Sequence, residues 1–326
     1  MTDARRDSIQ EITQALLLAA QKRLSQVIST VPLLQNTPLD QIFDCQLFIQ
    51  CENLQPTGSF KYRGASNAIL GMLESAQLNT SVNSGVCTHS SGNHGRALAR
   101  AARLNGLSAD IVVPHNAVTS KLEAMRAEGA NIHLCEPTQT AREAGLQALV
   151  EKGLIAIPPY DHPLVIAGQG TWALEILNQV ENLDMLLIPV GGGGLAAGTI
   201  LARNLMQQAQ TKTPLVIGAE PKQADDCWRS LQQGQRVKKH YPDTVADGLR
   251  ALVGKLTFPI IQAGITDVLR VTEAGIKAAR ALATVHLGQA IEPSSATVLA
   301  AIDEYPEVFS GRKVGLILTG GNIADE

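Results

Sequence analysis

The chain has 326 residues, of which 45% are hydrophobic and 17% charged, with a formal net charge of −3. These values describe an ordinary globular protein of one large or two medium domains. Lys and Arg are scattered and no apolar run reaches the length of a membrane span, so neither nucleic acid nor a bilayer is an expected partner. The five cysteines (Cys45, Cys51, Cys87, Cys135, Cys227) make no CxxC pair and no even framework, which predicts reduced thiols in the cytoplasm. The N-terminus lacks the apolar core of a leader.

In chain order, Ser8 and Glu11 form a capping box, with Ile9, Ile12, Leu16 and Ala19 behind it at helical spacing. Gln46 to Gln50 reads as a short strand leading into Glu52–Ala65. There Pro56 and Gly58 make a turn, and Ser59 is the expected N-cap of a helix from Phe60 to about Glu74. Strands are predicted at Gly85–Thr88, Asp110–Val113, Asn131–Cys135 and Leu154–Ile157. Helices are predicted at Gly95–Leu104 and Ser120–Glu128, the second with a Ser120/Glu123 capping box and Gly129 after it. A second series has helices at Thr171–Gln179, Leu195–Gln208 and Thr272–Leu287, the last capped by Gly288. Its strands are Met185–Val190, Leu215–Ala219 and Val314–Leu318, and residues 223–248 are the least regular part. This alternation predicts an α/β fold of parallel-rich sheets flanked by helices. Two lobes are expected, a large one from 1–81 and 161–326 and a small one from 82–160.

Lys61 falls in the first turn of its helix, where the positive end of the dipole disfavours a cation and sharpens the amine as a nucleophile. A solvated surface lysine is the plain alternative. Gly191, Gly192, Gly193 and Gly194 lie between a buried strand and a helix, where backbone N–H groups converge on a phosphate, or where backbones simply pack closely. The same run fits Gly-x-Gly-x-x-Ala through Gly191, Gly193 and Ala196, with Glu220 ending the next strand. A nicotinamide dehydrogenase therefore competes. Ser90, Ser91, Gly92, Asn93 and His94 also join a strand to a helix; they offer amides for a carboxylate, or only an N-cap and a satisfied histidine. Thr319-Gly-Gly-Asn322 is a third glycine turn. Glu220, Asp225 and Asp226 suit Mg²⁺ or Ca²⁺ unless they form a solvated acidic loop. No HExxH pair, P-loop lysine or GxSxG elbow occurs.

Together these motifs resemble the fold-type II pyridoxal-phosphate enzymes, the tryptophan-synthase-β and serine/threonine dehydratase group, over nearly the whole chain and in the right order. Ser59-Phe60-Lys61 is similar to the family's Schiff-base motif and the glycine run to its phosphate loop. Ser91–His94 is similar to its loop for substrate carboxylate and cofactor O3′, and Thr319–Asn322 to the turn whose hydroxyl meets the pyridine nitrogen. Pro159–Pro163 and Ala167–Thr171 are dehydratase-like. Thr88–Gly95 and Ala219–Cys227 resemble the serine racemase and threo-3-hydroxyaspartate dehydratase branch. The resemblance implies pyridoxal 5′-phosphate on Lys61, held by Phe60, Asn93, Gly191 to Gly194 and Thr319. It implies an amino-acid substrate on Ser90, Ser91, Gly92, Asn93 and His94. Mg²⁺ or Ca²⁺ would sit on Glu220, the Ala224 carbonyl and Asp226. The large lobe would bind the cofactor, the small one would move with the substrate, and the protein would form a homodimer.

The implied activity is dehydration of a β-hydroxy amino acid (L-serine, L-threonine or 3-hydroxyaspartate) to a 2-oxo acid and ammonia. Lys61 would take the Cα proton from one face. Ser91, where simple threonine dehydratases carry alanine, would serve the other face, so a serine or aspartate racemase is the close alternative. A hydroxyl at Thr319 rather than a carboxylate favours β-elimination over transamination. A non-catalytic amino-acid-binding regulator on the same fold is a third reading. Departures from the pattern are Thr319 for serine, Ser295 for glycine, Ala251 for serine and Tyr160 for asparagine, and the last two lean away from efficient serine racemisation. Feedback by isoleucine through a C-terminal regulatory domain is not expected.

Overall fold

The computed structural model describes residues 3–79, 85–207 and 212–323, with side chains from residue 14 onward. Its strands are β1 (Leu33–Leu34), β2 (Gln46–Gln50), β3 (Gly85–His89), β4 (Ser108–Pro114), β5 (Ala130–Cys135), β6 (Ile155–Ala156), β7 (Met185–Pro189), β8 (Leu215–Pro221), β9 (Asp267–Val271) and β10 (Lys313–Ile317). They form a six-stranded sheet, β1-β2-β10-β7-β8-β9, and a four-stranded sheet, β5-β4-β3-β6. Among the described strands every pairing is parallel except β1 with β2.

Parallel strands need cover on both faces, and the sequence supplies apolar residues to each. In β7 all five residues are buried; Met185 and Leu187 join one core cluster, Leu186 and Ile188 the opposite one. Helices Glu273–Leu287 and Pro293–Glu304 cover the first face, and Pro163–Gln179 and Gly194–Met206 the second. The helix Lys61–Glu74 sends Tyr62, Ala65, Ala68, Ile69 and Met72 into the core of the smaller sheet. Its close neighbour is Pro163–Gln179, where Gly168 permits contact, since a Cβ there would stand 2.6 Å from the Arg63 carbonyl oxygen; Gly170 serves the contact with Gly194–Met206, where a Cβ would stand 2.6 Å from the Gly198 carbonyl oxygen.

Several predicted boundaries require correction. The lysine helix starts at Lys61 with Phe60 in the cap position, because Ser59 is engaged in a bridge to Gly320 and its hydroxyl has no partner. Ser120 is not an N-cap: the helix Thr119–Ala127 follows Val118, and an N-cap needs the non-helical backbone that Ser120 lacks. The helix expected from Gly95 begins at Asn93, pulled tight by Ser90 Oγ, which accepts the amides of Gly92 and Gly95. The helix expected from Thr171 begins at Pro163, capped by His162; its packing glycines masked the pattern. The first helix starts at Asp3, upstream of the expected cap, and the side chains of Ser8 and Glu11 lie outside the described residues. So do Gln208 and the expected lobe boundary at 81–82. Strand β9 and helices Gln139–Glu151, Asp226–Gln233, Thr257–Gly264 and Pro293–Glu304 had no clear periodic signal. Two of these helices carry proline in their first turn, which reads locally as a break.

Candidate functional site

Ligands of parallel α/β sheets collect beyond the carboxyl ends of the strands. Every singled-out loop leaves such an end here: the lysine turn after β2, Ser90–His94 after β3, the glycine run after β7, the acidic loop after β8 and the Thr319 turn after β10.

The lysine turn and the Thr319 turn lie side by side, with the Phe60 N–H donating to the Thr319 carbonyl at 3.0 Å. Lys61 Nζ donates to the Pro159 carbonyl at 2.9 Å, an acceptor that Gln169 Nε2 shares at 3.0 Å. Burial pulls the Lys61 ammonium down to about 8, so an appreciable fraction of the amine is neutral near physiological pH. The residue after Pro159 is Tyr160, whose ring lies against the glycine run. A Cβ on Gly192 would stand 2.3 Å from its Cδ1. The lysine and the glycines are therefore joined by one dipeptide.

Gly191, Gly192, Gly193 and Gly194 are all buried, and Gly193 has φ +88°. Close packing against Leu249, Tyr160, Thr257 and Gln169 accounts for the missing side chains. It does not account for the backbone. None of the four N–H groups donates to an acceptor among the described residues. Buried amides without acceptors at a helix N-terminus are the donor set for an anionic group, and a phosphate fits it.

Ser91 is exposed, and the amides of Ser91, Asn93 and His94 have no acceptor among the described residues. Asn93 Nδ2 meets both oxygens of Glu292 at 2.9 Å, and Asn93 Oδ1 accepts from Asn322 Nδ2 at 2.7 Å. Asn322 also donates to the Thr57 carbonyl and, through its backbone, to Glu292. Burial pushes Glu292 up to about 7 against the opposing Asn93 hydrogen bond. His94 Nε2 lies 2.9 Å from the Ile157 carbonyl, which can only accept, so this nitrogen carries the proton. Burial, then the nearby Lys61 charge, pull His94 down to about 3 and keep the ring neutral.

Glu220 and Asp226 are both buried. Glu220 accepts the amides of Cys227 (3.1 Å) and Trp228 (2.9 Å), one on each carboxylate oxygen. Asp226 Oδ2 accepts from Val253 N–H at 2.8 Å and Oδ1 has no hydrogen-bond partner. Burial and the Asp226 charge raise Glu220 well above the usual carboxylate range, and burial raises Asp226 to about 6. Among the described residues no three His, Cys, Asp or Glu side chains converge as metal ligands. Two carboxylates with an orphaned oxygen nonetheless fit a cation that would complete its shell with a carbonyl and water.

The sequence motifs gave no sign of the Pro159 carbonyl or of Glu292 and Asn322 as partners of Asn93. Nor did they show Arg63 behind the lysine, joined to Glu52 at 2.7 Å and Glu175 at 2.6 Å. These contacts are long-range, and no signal beyond the polar residue types themselves points to them.

The family model described as "Pyridoxal-phosphate dependent enzyme" matches residues 24–320. The chain is 44% identical to the serine racemase of Dictyostelium discoideum over 311 residues, 93% of each chain. It is 41% identical to the beta-hydroxyaspartate dehydratase of Paracoccus denitrificans over 310 residues, 94% of this chain and 95% of that one. The crystal structure of a T.th. threonine deaminase superposes with a TM-score of 0.87 at 37% identity, covering 96% of this chain and 99% of that one.

Proposed function

We propose that this chain, which belongs to the pyridoxal-phosphate dependent enzymes, is an ammonia-lyase of a β-hydroxy amino acid with racemisation at Cα as a second outcome. The observation that carries the proposal is a partly buried lysine linked through Pro159–Tyr160 to four buried, unpaired glycine amides. When bound, pyridoxal phosphate withdraws electrons from Cα and makes its proton removable. Lys61 holds the cofactor and takes the proton from one face. The N–H groups of Gly191 to Gly194 would donate to the phosphate, and Phe60, Asn93 and the Thr319 hydroxyl would hold the ring. The free amides of Ser91, Asn93 and His94 orient the substrate carboxylate, and the Ser91 hydroxyl exchanges a proton on the other face. Similarity to a serine racemase and to a beta-hydroxyaspartate dehydratase at nearly equal identity supports both outcomes.

Mg²⁺ or Ca²⁺ on Glu220, the Ala224 carbonyl and Asp226 is part of this proposal, supported by the buried carboxylate pair whose mutual repulsion a cation would relieve. So are movement of the 82–160 lobe with the substrate, and a homodimer. Five unpaired cysteines support a cytoplasmic setting, and among the described residues no helix is long and apolar enough to cross a membrane.

The test is a panel of L- and D-serine, L-threonine and 3-hydroxyaspartate isomers, with 2-oxo acid detection and chiral chromatography. Ammonia and 2-oxo acid are expected from wild type, and no product or cofactor colour from Lys61→Ala. Ser91→Ala should lose D/L interconversion and keep elimination. A colourless wild type that binds NADH would overturn the proposal, and unchanged activity and melting temperature in EDTA would remove the cation from it.

A further inference from the structure

The glycine run is held from behind by side chains that no cofactor contact requires. Thr257 Oγ1 donates to the Gly192 carbonyl at 2.8 Å, and the Gly254 N–H reaches the same carbonyl at 3.2 Å. In a trans peptide the C=O of one residue and the N–H of the next point in opposite directions. Anchoring the Gly192 carbonyl therefore aims the Gly193 N–H away from Thr257. Gly193, at φ +88°, packs directly on this anchor, since a Cβ there would meet Thr257 Oγ1 at 2.8 Å.

Thr257 is itself fixed. It is fully buried, and its hydroxyl accepts the Gly254 N–H at 2.8 Å while donating to Gly192. Its own N–H donates to Asp161 Oδ1 at 3.2 Å. Asp161 also accepts the amides of Lys255 (2.9 Å) and Leu256 (2.8 Å), which together start the helix Thr257–Gly264. Asp161 follows Pro159 and Tyr160, the acceptor of Lys61 and the ring against Gly192. The clamp thus ties the direction of one amide to the strand of chain that holds the lysine.

We propose that Thr257, fixed by Asp161, is a positioning residue for the phosphate loop: its hydroxyl sets the Gly192–Gly193 peptide so that the Gly193 N–H faces the phosphate. The inference rests on the pyridoxal-phosphate reading of this loop. Thr257 touches neither cofactor nor substrate and acts through Gly192.

Thr257→Val keeps the branched shape and removes the donor. Apoprotein would be titrated with pyridoxal phosphate and, separately, with pyridoxal, the same aldehyde without the phosphate. Affinity for pyridoxal phosphate should fall about 5- to 10-fold, the effect of one neutral hydrogen bond, with pyridoxal binding unchanged. Thr257→Ser should restore it. Equal losses for both aldehydes, or no loss for pyridoxal phosphate, would overturn the inference. If Thr257→Val does not fold, Asp161→Asn carries the same comparison with the same outcomes. Wild type that prefers neither aldehyde would overturn the phosphate reading itself, whatever the variants do.

Discussion

Replacing Arg63 with methionine would expose how much of the lysine helix depends on one enclosed ion cluster. The Arg63 side chain is 0% exposed, as is Glu52, and Glu175 is 30% exposed. Arg63 Nε and Nη2 donate to Glu52 at 2.8 and 2.7 Å, Nη1 and Nη2 to Glu175 at 2.6 Å each, and Nη1 to Thr171 Oγ1 at 3.0 Å. Without Arg63, the Glu52 carboxylate keeps, among the described residues, only Gln50 Nε2 and Gln55 Nε2 as side-chain donors, both at 3.3 Å. Methionine fills most of the volume, so the cavity contribution is small. Stranding one charge of a buried pair costs about 3–5 kcal/mol. That is a large part of the roughly 5–15 kcal/mol that holds a domain together.

The assay is urea unfolding of wild type, Arg63→Met, Glu52→Gln and the double variant. A lowered midpoint at constant slope is expected for Arg63→Met, with most of the loss recovered in the double variant. A loss below about 1 kcal/mol, or no recovery with Glu52→Gln, would refute the reasoning. Arg63 is two residues beyond Lys61 and fastens that helix to Thr171 and Glu175. The single variant should therefore also bind pyridoxal phosphate more weakly.

Lys61 is lowered to about 8 from an ordinary 10.5, so capture of pyridoxal phosphate by apoprotein should accelerate with rising pH and level off above about 8; stopped-flow absorbance that keeps rising to about 10 would contradict its burial. Glu292 is raised from 4.5 to about 7, so the folded state binds more protons between those values and stability falls as pH rises through that window. The loss is about 3 kcal/mol at most, and melting curves of Glu292→Gln apoprotein should lack that slope. Gly192→Ala places a Cβ 2.3 Å from the Tyr160 ring, so the loop must shift and cofactor affinity should drop at least about tenfold in an absorbance titration.

The parallel α/β architecture and the main loops were legible in the sequence because strand ends carry punctuation. Apolar runs such as Met185–Pro189 stop abruptly at glycines, and a glycine run between strand and helix has few physical uses. What escaped was whatever depends on distant partners or on packing. Gly168 and Gly170 lie inside Pro163–Gln179, upstream of the start expected at Thr171, because neighbouring backbones approach there. Asp161 and Thr257 are 96 residues apart, and Arg63 and Glu175 are 112 apart, so no local window joins them. Ser120 had the right chemistry for a cap but lies inside its helix, and Ser59 is drawn into a bridge with Gly320, a partner 261 positions away.

The loop after β3 shows how far such a motif can be resolved once partners are known. The resemblance assigns the second face of Cα to Ser91, and Ser90 and His94 beside it also carry protons. Ser90 Oγ is taken up by the amides of Gly92 and Gly95, so it shapes the turn. His94 carries its proton on the nitrogen that faces Ile157, and at about 3 it cannot act as an acid near neutral pH. Asn93 is held between Glu292 and Asn322 and has no proton to give. Ser91 alone in this loop combines exposure with a hydroxyl that has no partner among the described residues. Elimination needs only the lysine face, whereas inversion needs both, so on the proposed reading Ser91→Ala should abolish D/L interconversion in chiral chromatography while 2-oxo acid formation persists; interconversion retained in Ser91→Ala would refute that role.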